Sequence, residues 1–318
     1  MKAMILKSPG GIENLVIENI PTPVIGDNEV LVKVAAISLN PVDATLRKNG
    51  EFLRLVLHLQ KDEAPVILGW DISGVVEATG RGVTRLRKGD EVFGMVNFTG
   101  HGKGYAEYVA AREDQLALKP SSVTHPEAAA ATLAALTAWQ TLVHISGVKA
   151  GDKVLIHSAA GGVGHFAVQI ARQLGAYVIG TSSAANKDFV LGLGAQEHID
   201  YAAQRFEDVV SDADVVVDSI RDIEHLERSL QAVRSRGKLI SLVTFPDERL
   251  SRKALMSRKF MYRMEVASDG DDMRAIAGLL EKGLIRGHVS RTFAFDEIPL
   301  AHQQLESGHT RGKLVITL

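Results

Sequence analysis

Cysteine is absent from the 318 residues, which excludes disulfides, thiolate zinc sites, iron–sulfur clusters and a cysteine nucleophile. The chain is therefore tied to no redox compartment. An excess of one charge is also lacking. The 36 Lys and Arg face 38 Asp and Glu, a formal net charge of −2, so no global field recruits nucleic acid or an anionic bilayer. Long apolar runs are missing too. The longest, Ala128 to Trp139, is alanine-rich and falls short of the roughly 18 residues that span a bilayer. The opening, Met1 to Gly10, has no apolar core of the secretory kind. A soluble cytoplasmic protein without nucleic-acid or membrane partners is the expectation. With 46% hydrophobic and 23% charged residues, the chain is neither disordered nor fibrous, and its length suggests two domains.

What is present divides by texture. From Lys2 to Ser121, short β-rich runs alternate with turn signals: Glu29 to Ile37, Val66 to Thr79, Asp90 to Val96 and Tyr105 to Ala111. After Pro126 strands alternate with helical stretches, as in a parallel sheet with crossover helices. The Val215 to Val217 and Leu239 to Val243 runs lack polar alternation, as strands covered on both faces do. The tail is expected to hold an extended stretch from Phe260 to Ala267, a helix near Asp271 to Lys282 and a closing strand from Lys313 to Leu318. We assign it to the first lobe. The expected division is a β-rich lobe of residues 1–121 and 256–318 around an α/β domain of 122–255.

The chemistry lies in Lys153-Val-Leu-Ile-His-Ser-Ala-Ala-Gly-Gly-Val-Gly164, a strand, a glycine turn and the start of a helical pattern. Glycines there let backbone approach a pyrophosphate, and the helix N-terminus offers N–H donors and partial positive charge. Ala159 stands where the first glycine of G-x-G-x-x-G would be, but the next strand, Tyr177 to Ser182, follows at the spacing of a βαβ unit. The candidate cofactor contacts here are Ala160, Gly161, Gly162, Val163 and Gly164. An acidic residue at the end of the second strand would bind a ribose 2′-hydroxyl and repel a 2′-phosphate. None occurs between Gly161 and Lys187. Thr181, Ser182, Ser183 and Lys187 stand there instead, pointing to NADPH rather than NADH; otherwise Lys187 is a solvated helix-start residue.

Several motifs in order resemble the medium-chain dehydrogenase/reductase superfamily, specifically its zinc-free quinone oxidoreductase branch. They are Ser38-Leu-Asn-Pro-Val-Asp43, Leu68-Gly-Trp-Asp-Ile-Ser-Gly-Val-Val76, Lys88-Gly-Asp-Glu-Val-Phe-Gly94, Gly104-Tyr-Ala-Glu-Tyr-Val109, Ala160 to Gly164, and Gly194-Ala195 through Ile199-Asp-Tyr201. The resemblance covers essentially the whole chain. It implies an α/β protein with a GroES-like β-rich catalytic domain and a Rossmann domain, a doubly wound parallel sheet. Zinc-dependent relatives carry Cys where Asn40 stands and His where Trp70 stands. The eleven His show no H-E-x-x-H spacing, so no metal is expected.

Without a Lewis acid, a conjugated acceptor is the easier substrate, because its carbonyl oxygen takes up the charge of an incoming hydride. The resemblance thus implies hydride transfer from NADPH to a quinone or α,β-unsaturated carbonyl. Asn40 is the candidate donor to the acceptor oxygen, or else forms an Asx turn before Pro41. Asp43 either polarises this loop or holds its structure. No tyrosine precedes Tyr105, leaving solvent as the proton source. Phe52 to Leu59 supply an apolar run from Glu51 to Gln60 that forms a substrate lid or a packed helix. Trp70 and Phe93 line the pocket or fill core. By the same resemblance Tyr201 stacks near the 2′-phosphate, Leu242, Val243 and Thr244 approach the nicotinamide, and Gly312 and Lys313 close near the cofactor. The stretch from Lys259 to Ala267 alternates, and the resemblance implies that such a strand pairs across a two-fold in a homodimer. Two alternatives stay open: reduction of saturated ketones or aldehydes, and an NADPH-binding sensor with little turnover. A serine hydrolase is disfavoured, since no G-x-S-x-G turn occurs.

Overall fold

The computed structural model describes residues 1–59 and 66–318. They form two compact units, one of residues 1–136 with 267–318 and the other of 137–266.

The first unit opens with β1 (Lys2–Leu6), β2 (Leu15–Asn19) and β3 (Glu29–Ser38), followed by α1 (Pro41–Lys48) and α2 (Gly50–Leu57). Then come β4 (Val66–Ile67), β5 (Asp71–Thr79), β6 (Glu91–Met95), β7 (Tyr108–Arg112), β8 (Ala117–Leu118) and α3 (His125–Ala130). The helix α4 (Leu133–Trp139) runs across the division of the chain. The unit resumes with α9 (Gly270–Glu281), β15 (Val289–Ala294), α10 (Ile298–Glu306) and β16 (Lys313–Thr317). Its main sheet has the order β15-β16-β3-β5-β6-β8, with β7 also paired to β3, and a small sheet runs β2-β1-β4. Alternation in β3 buries Val30, Val32, Val34 and Ala36 on one face. In α2, Leu53, Val56 and Leu57 are buried while Leu55 is exposed. The apolar run is thus a packed amphipathic helix, and its end at Gln60 lies outside the described residues.

The second unit holds β9 (Lys153–Ile156), α5 (Gly162–Gln173), β10 (Tyr177–Ser182), α6 (Lys187–Gly192), β11 (Glu197–Asp200) and β12 (Ala213–Asp218). It ends with α7 (Ile223–Ala232), β13 (Val233–Ser241), α8 (Glu248–Met256) and β14 (Phe260–Arg263). Every neighbouring pair in its sheet is parallel, in the order β11-β10-β9-β12-β13-β14. Read along the chain this is 3-2-1-4-5-6, the doubly wound order that binds dinucleotides where the strand order reverses, beside the carboxyl ends of β9 and β12. The apolar residues of those strands are buried without alternation, as two covered faces require.

Two assignments differ from the sequence expectation. Phe260 to Arg263 belong to the parallel sheet, because β14 pairs with β13 in register from Lys238 and Phe260. The α3 segment belongs to the first unit, since Ala129 and Ala130 pack with Ala36 and Val315. The divisions therefore fall at 136/137 and 266/267 rather than at 121/122 and 255/256. No helix among the described residues is long and apolar enough to cross a membrane.

Candidate nucleotide and substrate sites

The glycine turn leaves β9 through His157 and Ser158, the latter at φ 51°. Gly161 donates its N–H to Ser158 O at 2.8 Å, and Ala159 donates to Thr181 O at 2.9 Å. Gly161 is then the N-cap of α5, with no side-chain cap. A 12-residue helix thus begins with N–H groups and positive dipole free for an anion. A Cβ on Gly164 would stand 2.0 Å from Ser158 O and 2.8 Å from Ala159 Cα, so this glycine sets how closely α5 approaches the turn. The departure at Ala159 has a local reason. Its methyl is buried and lies against Gly180 of β10, where a Cβ would come within 2.9 Å of it.

At the end of β10 successive side chains part to opposite faces. Thr181 turns inward and its Oγ1 lies 3.0 Å from His157 Nδ1, within the buried network. Ser182 Oγ lies 2.8 Å from Nε2 of His198 on β11. Ser183 Oγ accepts from Asn186 Nδ2 at 3.2 Å, and Lys187 is exposed at the start of α6. Tyr201 follows β11, its N–H bonded to Ser182 O and its side chain exposed. Ser182, Ser183, Lys187 and Tyr201 thus share one end of the sheet, joined by His198, which the sequence reading missed because a lone strand histidine carries no motif.

At the switch point, Leu242 N–H donates to Asp218 O at 2.8 Å, and Thr244 Oγ1 donates to Ile220 O at 2.9 Å. These bonds fix the segment of Leu242, Val243 and Thr244 beside the end of β12. Beneath it, Asp218 Oδ2 takes hydrogen bonds from Ser229 Oγ at 2.7 Å and His225 Nδ1 at 2.9 Å. His157 Nε2 lies 3.1 Å from the same Ser229 hydroxyl. Burial pushes His157 down to about 3, so it is neutral. Burial alone would raise Asp218, but the hydrogen bonds from His225 and Ser229 hold it below the usual carboxylate range. The ligand atoms of His157, Asp218 and His225 lie within 4.8 Å of one another, a grouping the sequence spacing does not reveal. Ser229 already closes the network.

In the first unit, Asn40 caps α1, and its N–H donates to Asp43 Oδ2 at 2.7 Å. Its Nδ2 donates to Asp71 Oδ2 at 2.7 Å, and its Oδ1 accepts from Lys313 Nζ. Lys313 Nζ also donates to Leu39 O at 2.5 Å and lies 3.9 Å from Asp71 Oδ2. Gly312, at φ 64°, permits the turn into β16: a Cβ there would lie 2.3 Å from His288 O. Asn40, Asp43, Asp71 and Lys313 are all at most 3% exposed. The Asn40 amide and the Lys313 ammonium thus bond each other and buried partners that hold the loop before α1. Trp70 and Phe93 are core, with Trp70 Nε1 donating to Gly100 O at 2.9 Å.

Burial lowers Lys313 and raises Asp71. It also raises Asp43 to about 7 from 3.8, the Asn40 N–H opposing and the charge on Asp71 adding to the rise. A raised folded-state carboxyl stabilises most below its unfolded value and loses that contribution as pH rises from about 4 through 7. Asp43→Asn is therefore expected to flatten the fall in stability over that window, by up to about 4 kcal/mol. Urea unfolding at several pH values measures it, and parallel curves for the two proteins would count against the buried neutral carboxyl.

The alcohol dehydrogenase GroES-like domain family matches residues 26–121, and the zinc-binding dehydrogenase family matches residues 193–316. The chain is 33% identical over 329 residues to a chloroplastic NADPH-dependent alkenal/one oxidoreductase of Arabidopsis thaliana, covering 99% of this chain and 79% of that one. A quinone oxidoreductase structure from Coxiella burnetii superposes with a TM-score of 0.92 at 34% identity, covering 100% of this chain and 99% of that one. A mycobacterial protein solved with NADPH has a TM-score of 0.85 at 28% identity over 100% of both chains. A GroES-like unit with a Rossmann unit defines a dehydrogenase/reductase. This chain belongs to the medium-chain dehydrogenase/reductase superfamily, in its quinone oxidoreductase branch. The zinc in one matching family's description does not suit the Asn40 position. Asn40 is an amide whose oxygen already accepts from a buried ammonium, and a dication beside Lys313 would meet like charge.

Proposed function

We propose that the protein is an NADPH-dependent, zinc-independent oxidoreductase that reduces a quinone or an α,β-unsaturated carbonyl. The observation that carries this reading is the pairing of an uncapped α5 at the Gly161–Gly164 turn with a β10 whose own C-terminal residues carry no carboxylate and lead to Lys187. The similarity to an NADPH-dependent alkenal/one oxidoreductase and to a quinone oxidoreductase supports it. In this reading, the Ala160–Gly164 turn holds the pyrophosphate through the N–H groups at the start of α5, and Ser182, Ser183, Lys187 and Tyr201 hold the 2′-phosphate. Leu242, Val243 and Thr244 present backbone to the nicotinamide. NADPH supplies the hydride when bound. Asn40, Asp71 and Lys313 fix the loop before α1, and solvent supplies the proton.

Lys187→Glu places a carboxylate where the phosphate would sit. It is expected to raise the KM for NADPH at least about tenfold, with kcat little changed, since uniform binding is what it removes. Steady-state kinetics with NADPH and NADH test this; an unchanged KM would remove Lys187 from the site.

We also infer a homodimer. The strand β14 is an edge of the parallel sheet, with Phe260 and Tyr262 exposed, and an apolar unpaired edge is a template for a second strand. Light scattering at micromolar concentration is expected to give twice 34.3 kDa, and one chain mass would contradict it.

A further inference from the structure

We propose that His198 is a proton-gated contact for the cofactor's 2′-phosphate, making NADPH affinity, but not NADH affinity, rise as pH falls. The inference rests on the NADPH reading above and adds a residue and a regulation to it. His198 lies on β11 opposite Gly180, and the same ladder sets Asp200 opposite Ser182. Its Nε2 is 2.8 Å from Ser182 Oγ.

That one hydrogen bond can run in two directions. A neutral ring with Nε2 bare accepts from the Ser182 hydroxyl, which then has no hydrogen left for a phosphate. A protonated ring must donate through Nε2, so Ser182 Oγ accepts there and its hydrogen, which otherwise reaches only Ser183 O at a longer 3.2 Å, can turn to an incoming oxyanion. Protonation thus adds a positive charge and a second donor at the end of β10 together.

The charged neighbours are few. Asp200, on the same strand, favours the charged ring, while Lys187 from α6 opposes it. Glu197 is taken by the Tyr177 hydroxyl. Burial is the largest influence and, with Lys187, holds His198 below its ordinary 6.5. The ring is therefore mostly neutral at pH 7, and its Nε2-bare tautomer withholds the donor. A phosphate brought beside it reverses the balance, so binding takes up a proton and linkage ties affinity to pH. The phosphate itself titrates near pH 6 and pulls the other way, gaining charge as pH rises. The comparison with a variant is therefore decisive.

Dissociation constants for NADPH and NADH are to be measured by reduced-nicotinamide fluorescence at about pH 6 and pH 8, for wild type and His198→Gln. Glutamine retains a hydrogen bond to Ser182 but cannot titrate. In wild type the preference for NADPH over NADH is expected to grow at least about fivefold from pH 8 to pH 6, and in the variant to stay flat or shrink. Calorimetry on wild type alone, in buffers of different ionisation enthalpy, is expected to show proton uptake on binding NADPH and none on binding NADH. Parallel pH profiles for wild type and variant, or no proton uptake, would overturn the role of His198 while leaving the cofactor reading intact. Preference for NADH at both pH values would overturn both.

Discussion

Replacing Gly164 with alanine is expected to cost about 3 kcal/mol of stability, the upper part of the range for overpacking, and to weaken NADPH binding at least about a hundredfold. The new methyl would lie 2.0 Å from Ser158 O and 2.8 Å from Ser158 C and Ala159 Cα. All three atoms are backbone, so no rotamer change relieves the clash. Either α5 moves off the turn or the turn opens. Both outcomes displace the N–H groups that the pyrophosphate needs, since oriented donors at a helix start act only at hydrogen-bond distance. Gly192 in α6 supplies the control: a Cβ there meets nothing within 4 Å. Gly192→Ala is expected to be neutral or stabilising by about 0.5 kcal/mol, through the unfolded chain. Urea unfolding and fluorescence titration read both effects, and a Gly164→Ala protein as stable as wild type would contradict this account of the turn.

The second large effect is expected from Lys313→Met, a loss of about 3–5 kcal/mol, because it removes one partner of a buried charged group. Asp71 would lose the neighbouring ammonium, and Leu39 O and Asn40 Oδ1 would lose their donor. The sign with pH follows from Asp71. Burial already raises it, and Lys313 opposes that rise. Without Lys313 its folded-state value climbs further, so the deficit grows as pH rises and is smallest in acid. Adding Asp71→Asn is expected to recover part of the loss, with a coupling of about 1–3 kcal/mol. A pH-independent deficit would contradict the buried pair. Lost NADPH affinity at unchanged stability would instead return Lys313 to the cofactor.

Local features of this fold were legible in the sequence. The strand, glycine turn and helix from Lys153 to Gln173 lie within a few residues of one another, and hydrophobic pattern and turn chemistry suffice to place them. The lack of an acidic residue between Gly161 and Lys187 could be read directly. The buried cluster could not. Lys313 meets Asn40 across 273 residues, and Tyr105 meets His302 across 197, so only the folded topology joins them. Asn40 and Asp43 were visible as a motif, but the buried partners of Asn40, Asp71 and Lys313, were not. Thr181 and Ser182 read alike in sequence, but the pleat of β10 sends one to His157 and the other to His198. The strand β14 was legible as an alternating strand but not as a member of the parallel sheet, because edge pairing depends on β13, which its own pattern does not name.

The central claim is tested most directly by the initial rate of reduced-nicotinamide oxidation after exhaustive chelation, with NADPH and NADH separately and with a quinone and an enone as acceptors. The account predicts NADPH-selective oxidation that chelator leaves unchanged and added zinc does not raise. Selectivity for NADH, or turnover that appears only when zinc is restored, would contradict it.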